Sequence, residues 1–95
     1  MNTILRSQLF DKWLSGLRDV GARVRIVNRI ENVRRGTFGD TKSLGGGLWE
    51  LRVDYGPGYR IYYTRQGDAV VFLLAGGNKS SQSRDISRAR MLMEE

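Results

Sequence analysis

Two short connections constrain this chain more than any other feature in it. Tyr55-Gly56-Pro57-Gly58 separates the run Leu48 to Tyr55 from the run Tyr59 to Arg65, and Gln66-Gly67-Asp68 separates that run from Ala69 to about Gly76. Pro57 presets its own φ, and Gly58 can take the positive φ that follows in such a turn. Connections this short cannot make the crossover that parallel strands need, so the three runs are expected to form an antiparallel meander. Side-chain alternation then divides the runs into two faces. Trp49, Leu51, Val53, Tyr59, Ile61 and Tyr63 make one face apolar, while Glu50, Arg52, Arg60 and Tyr62 share the other. Val70-Val71-Phe72-Leu73-Leu74 is apolar on both sides, which predicts an interior strand covered on both faces.

An apolar sheet face needs a cover. Phe10, Trp13, Leu14 and Leu17 recur at helical spacing behind a short first strand, Thr3 to Arg6. A second helix is predicted from about Asp19 to Arg35, with Val20, Val24 and Val27 on one stripe and Ala22, Ile26, Ile30 and Val33 widening the apolar side. Arg23, Arg25, Arg29, Arg34 and Arg35 lie between them, most of them read as a solvated face. The Gly, Ser, Thr and Asp content of residues 36–47 predicts a surface loop. A terminal helix begins near Ser80 or Ser81 as N-cap, with Asp85 in its first turn and Ile86, Ala89 and Met93 on one side. The order is β-α-α-β-β-β-α: one α+β domain spanning residues 1–95, with an antiparallel sheet, two N-terminal helices on one face and a C-terminal helix.

The sequence has no cysteine, which excludes disulfide scaffolds, thiolate zinc sites and cysteine nucleophiles and fits a cytoplasmic protein. With no histidine either, no recognisable metal-ligand spacing remains, and neither metal nor cofactor is expected. No stretch reads as a secretory or transmembrane segment, so no membrane partner is expected. Gly76-Gly77-Asn78-Lys79-Ser80 lacks the glycine directly before lysine that a phosphate-binding loop requires. Sixteen Lys+Arg stand against ten Asp+Glu, a net charge of +6, and 13 of the cations are arginines. The guanidinium fork suits phosphate, so nucleic acid is one reading of that excess; arginines that merely solvate helix faces are the other. The polar sheet face divides the same way. Glu50 pairing with Arg52 or Arg60 would be an ordinary surface ion pair. As a set, however, these residues with Lys42, Lys79, Gln82 and Arg84 outline a basic concavity.

Phe38-Gly39-Asp40-Thr41-Lys42-Ser43-Leu44, Gly47-Leu48-Trp49-Glu50-Leu51-Arg52 and Gly56-Pro57-Gly58-Tyr59-Arg60-Ile61-Tyr62-Tyr63 resemble the addiction-module killer proteins. These form a HigB-like, phage-associated branch of the RelE/ParE toxin superfamily. Leu73 to Gln82, Asp85-Ile86 and Ala89 extend the resemblance over nearly the whole chain. It implies the toxin of a type II toxin-antitoxin system, most often an endoribonuclease that cuts mRNA on the translating ribosome. It also implies an antitoxin partner, a helix-turn-helix protein from the adjacent gene. In RNA-cleaving relatives an arginine of the Gly-Tyr-Arg strand contacts the scissile phosphate, which would be Arg60 here. Relatives usually add lysines on the preceding strand, where this chain has Leu48 and Glu50. They also carry a C-terminal arginine, where Gln82 or Arg84 stands.

Metal-free RNA cleavage needs a base for the 2′-hydroxyl, cations for the phosphorane and an acid for the leaving oxygen. Arginine supplies only the second role, because its pKa is too high for proton transfer. Glu50 is the expected base, and Tyr62, Lys42 or Lys79 the acid, since clustered cations ease proton loss from lysine. Arg52, Lys79, Gln82 and Arg84 are expected to hold the nucleic acid. Two other readings stay open: a ParE-like toxin that poisons DNA gyrase without catalysis, and a nucleic-acid- or antitoxin-binding module without toxicity.

Overall fold

The computed structural model describes residues 1–94. Five strands, β1 (Thr3–Arg6), β2 (Thr41–Gly45), β3 (Leu48–Val53), β4 (Tyr59–Gln66) and β5 (Val70–Asn78), form one sheet in the order β1-β5-β4-β3-β2. The helices are α1 (Gln8–Gly16), α2 (Val20–Arg34) and α3 (Gln82–Met93). The expected α+β class and the β3-β4-β5 meander are present, and the first strand adds to it in parallel, from Thr3 opposite Val70 to Arg6 opposite Leu73. β5 therefore lies inside the sheet, as its two-sided apolar sequence requires. No helix among the described residues is long and apolar enough to cross a membrane.

The segment read as a loop over 36–47 contains β2. Thr41, Lys42 and Ser43 pair with Leu51, Glu50 and Trp49, and the register slips between Ser43 and Gly45. Its sequence is polar and glycine-bounded because it is a short edge strand; the pairing comes from β3 rather than from its own propensity. The Thr41 hydroxyl adds a bond to the Glu50 carbonyl at 2.8 Å.

Side-chain caps explain the starts of α1 and α2. Ser7 caps α1, accepting from the Phe10 amide at 2.9 Å, and its hydroxyl donates to the Leu74 carbonyl at 2.6 Å, which ties the helix to β5. Gly76 completes that docking, since a Cβ there would collide with the Trp13 ring. Asp19 caps α2 through the Ala22 amide at 3.2 Å. Ser81 stands at the N-cap of α3, as expected, but makes no side-chain cap bond; Asn78 caps the single 3₁₀ turn Lys79–Ser81 that leads into it.

α1 and α2 cover Leu51, Val53, Tyr59, Ile61, Tyr63, Val71 and Leu73 on one sheet face. α3 covers Leu48, Tyr62, Leu74 and Ala75 on the other, using Ala89 with Ile86, Leu92 and Met93. One expectation is overturned here. Only Ala22, Ile26 and Val33 of α2 are buried; the Val20, Val24 and Val27 stripe faces solvent. The two stripes lie on different sides of the helix, so a single flat sheet can cover only one of them.

Candidate functional site

The polar residues of β3 and β4 meet a groove of about 370 Å³ at the β3-β4 turn. Its lining includes Arg52, Arg60, Lys79, Gly58, Asp40 and Asp54. Arg52 and Arg60 stand directly opposite in the β3-β4 register, an unfavourable arrangement for like charges. Arg52 relieves it by turning to Asp40, with Nη2 and Nε at 2.8 and 3.1 Å from Oδ1. That hydrogen bond, followed by the charge of Asp40, raises the guanidinium above its ordinary value. Arg60 and Lys79 make no ion pair among the described residues, and the buried Arg60 Nε has no hydrogen-bond partner there. The Lys79 amide donates to the Gly58 carbonyl at 2.8 Å, holding the entry to α3 against the turn.

Beside this groove, on the same sheet face and toward α3, lies a buried polar cluster. Glu50 is 3% exposed and pairs with neither arginine of its face; Gln82 Nε2 reaches its Oε1 at 3.4 Å. Tyr62, directly opposite Glu50 in the register, is fully buried, and its hydroxyl has no partner among the described residues. Burial is the main reason its pKa rises; the negative charges of Glu50 and Asp85 add to the rise and Arg60 opposes it. Tyr62 therefore keeps its proton at neutral pH. Asp85, 4% exposed, accepts from the Ser81 hydroxyl at 2.5 Å and lies 3.6 Å from Arg84 Nε. Gly77, opposite Arg60 on β5, makes room for it, because a Cβ at that position would overlap the Asp85 carboxylate. Buried carboxylates and an unpartnered phenol beside an open cationic groove form a cluster typical of functional sites, where polar burial is otherwise avoided.

The eight residues expected from sequence thus divide into groups. Arg52, Arg60 and Lys79 line the groove, and Glu50, Tyr62 and Gln82 lie together beside it, toward α3. Lys42 is exposed on edge strand β2, in register with Glu50 but outside the groove lining. Arg84 lines a separate groove of about 540 Å³ with Trp13, Gly77 and Asn78. Sequence reasoning missed Asp40 as the partner of Arg52, and Asp85, which it read only as a first-turn helix residue. It also left Arg29 within a group of five arginines read mostly as a solvated face. Arg29 instead donates to the carbonyls of Arg52 at 2.7 Å, Phe38 at 2.9 Å and Asp40 at 3.1 Å, fixing the segment that presents Asp40. Nothing in the sequence sets Arg29 apart from its neighbours. Among the described residues no group of three or more His, Cys, Asp or Glu could hold a metal ion.

Comparison with known proteins finds relatives of the chain. The family model described as phage-derived protein Gp49-like (DUF891) matches residues 12–94. An uncharacterized protein of Haemophilus influenzae is 46% identical over 86 residues, which cover 90% of this chain and 87% of the relative. Among solved structures, a double arginine-to-alanine mutant of the E. coli toxin RelE in the free state superposes with a TM-score of 0.73. It covers 95% of both chains at 18% identity, a likeness of fold.

Proposed function

The chain belongs to the phage-derived Gp49-like family, and from that premise we propose that it is the toxin of a type II toxin-antitoxin pair. On this reading it is a HigB-like member of the RelE/ParE superfamily and a metal-free, ribosome-dependent mRNA endoribonuclease of the cytoplasm. The shared fold with the E. coli toxin RelE supports the superfamily. The observation that carries the nuclease reading is Arg60, free of any ion pair among the described residues and lining an open groove with Arg52 and Lys79.

In the reaction the 2′-oxygen attacks the adjacent phosphorus, a cyclic phosphate forms and the P–O5′ bond breaks. Arg60 and Lys79 stabilise the charge that builds on the phosphorane oxygens. Glu50 takes the 2′-hydroxyl proton, which requires Gln82 to turn aside from its carboxylate. Tyr62 holds its proton at neutral pH and supplies it to the leaving 5′-oxygen only when α3 lifts from its buried ring, with Lys42 as the alternative donor from the edge strand. Gln82 and Arg52 orient the strand, and Arg84 holds RNA that continues past the groove. The partner is an antitoxin of the helix-turn-helix type, encoded next door.

A second reading draws on the burial of Glu50 and Tyr62. A ParE-like toxin acting on DNA gyrase by protein contact needs no proton-transfer groups, so buried ones would not hinder it. The discriminating experiment is induction of the chain in bacterial cells without its neighbouring gene, with new mRNA 5′ ends mapped beside an Arg60→Ala control. Codon-phased ends that vanish in the control are expected. Growth arrest without new ends would favour the gyrase target, and no arrest would leave a nucleic-acid- or antitoxin-binding module without toxicity.

A further inference from the structure

The valine stripe of α2 is unexplained by the core and by the arginine groove. Val20, Val24 and Val27 are 68%, 53% and 51% exposed, at i, i+4 and i+7 on one side of the helix. β-Branched residues are weak helix formers, and these three gain no burial in return. They line a shallow apolar groove with Arg23 and Asn28. Arg23 and Val27 also border a second groove that runs to Leu14, Lys12, Asp11 and Arg6. Arg6 is held by Asp11 at 3.1 Å, whereas Lys12 and Arg23 have no ion pair among the described residues. The surface is therefore an apolar strip with unneutralised cations at its border.

We propose that this strip seats an acidic amphipathic helix of a partner chain. The valines form one exposed stripe along about two turns of α2, against which the apolar face of a second helix can pack, and carboxylates on that helix would face Lys12 and Arg23. A second copy fits less well, since it would bring another chain of net charge +6 against the same cations. α2 packs on the face of Leu51, Val53 and Ile61, opposite the face that carries Arg52 and Arg60, so an occupant here leaves the arginine groove uncovered. The chemistry of the surface stands on its own; only the identification of the occupant with a neutralising antitoxin rests on the toxin reading.

The test measures fluorescence anisotropy of a labelled helical peptide about four turns long, with leucines on one stripe and glutamates beside it, titrated with the whole chain. Binding is expected to weaken about tenfold in Val24→Asp, less in Arg23→Glu, and to vanish for the same peptide with lysines in place of glutamates. Both substitutions lie on the exposed side of α2, and unchanged circular dichroism would confirm that the fold is kept. Absence of binding, equal binding of both peptides, or indifference to Val24→Asp would overturn the proposal. So would a wild-type dimer in sedimentation that Val24→Asp dissociates, which would give the strip to a second copy. Growth arrest on induction reads the toxin proposal separately, so either can fail alone.

Discussion

Tyr62 shows how stability and chemistry diverge at a single residue. Its hydroxyl is buried without a partner, so its removal frees the fold from a desolvated polar group. Tyr62→Phe is expected to leave stability unchanged or raise it by about 1 kcal/mol in urea unfolding, while reducing mRNA cleavage in the induction assay. The same residue sets an alkaline limit. Tyr62 and Tyr63 both have pKa values raised above 10.0, chiefly by burial. Above that pH the unfolded chain releases phenolic protons that the folded chain retains, so the folded state binds more protons and loses stability as pH rises. Urea midpoints should therefore fall above about pH 10, and Tyr62→Phe should flatten that fall. A pH-independent difference between the two proteins would show that the Tyr62 environment is wetter than its burial indicates. The unpartnered hydroxyl was not legible in the sequence: strand parity put Tyr62 beside Glu50 and Arg60, but only the packing of α3 decides how deeply it is covered.

Among the elements, β2 and the segment before it depend on Arg29. One guanidinium satisfies three carbonyls from two stretches of chain, including that of Asp40. Charge-assisted bonds of this kind leave desolvated acceptors behind when the donor is removed. Arg29→Ala is expected to destabilise the fold by about 2 to 3 kcal/mol in urea unfolding, and Arg29→Lys by most of that amount, because an ammonium cannot span the fork. A loss under about 0.5 kcal/mol would mean that these carbonyls are served equally well by water. The elements read most easily from sequence were those with a strong period of their own. Leu51 and Val53 against Glu50 and Arg52 fixed the faces of β3, and the two glycine turns fixed the meander. Thr41 to Gly45 has no such period, because an edge strand takes its conformation from its neighbour. In α2 two apolar stripes compete, and the choice of Ala22, Ile26 and Val33 over the valines is made by the sheet, which no helical periodicity contains.

At the scale of the whole molecule, a net charge of +6 becomes useful only where cations remain unneutralised. In the arginine groove those are Arg60 and Lys79, while Asp40 occupies Arg52. On the RNA reading, single-stranded RNA affinity measured from about 50 to 300 mM salt should lose about 0.7 of logarithmic slope in each of Arg60→Ala and Lys79→Ala. Arg52→Ala should change the slope less, and Asp40→Asn should steepen it by releasing Arg52. Equal slopes in all four variants would move the RNA-binding surface elsewhere. The parallel pair of β1 and β5 reaches further still, into the order in which contacts can form. Thr3 finds its partner only in Val70, and α1 docks on that same late strand. The first strand and α1 therefore lack their partner until β5 is in place, a contact between distant parts of the sequence. Lys79, which completes the cationic groove, emerges just after β5. The cationic groove and the docking of the N-terminal elements therefore depend on the same strand and on the turn that follows it.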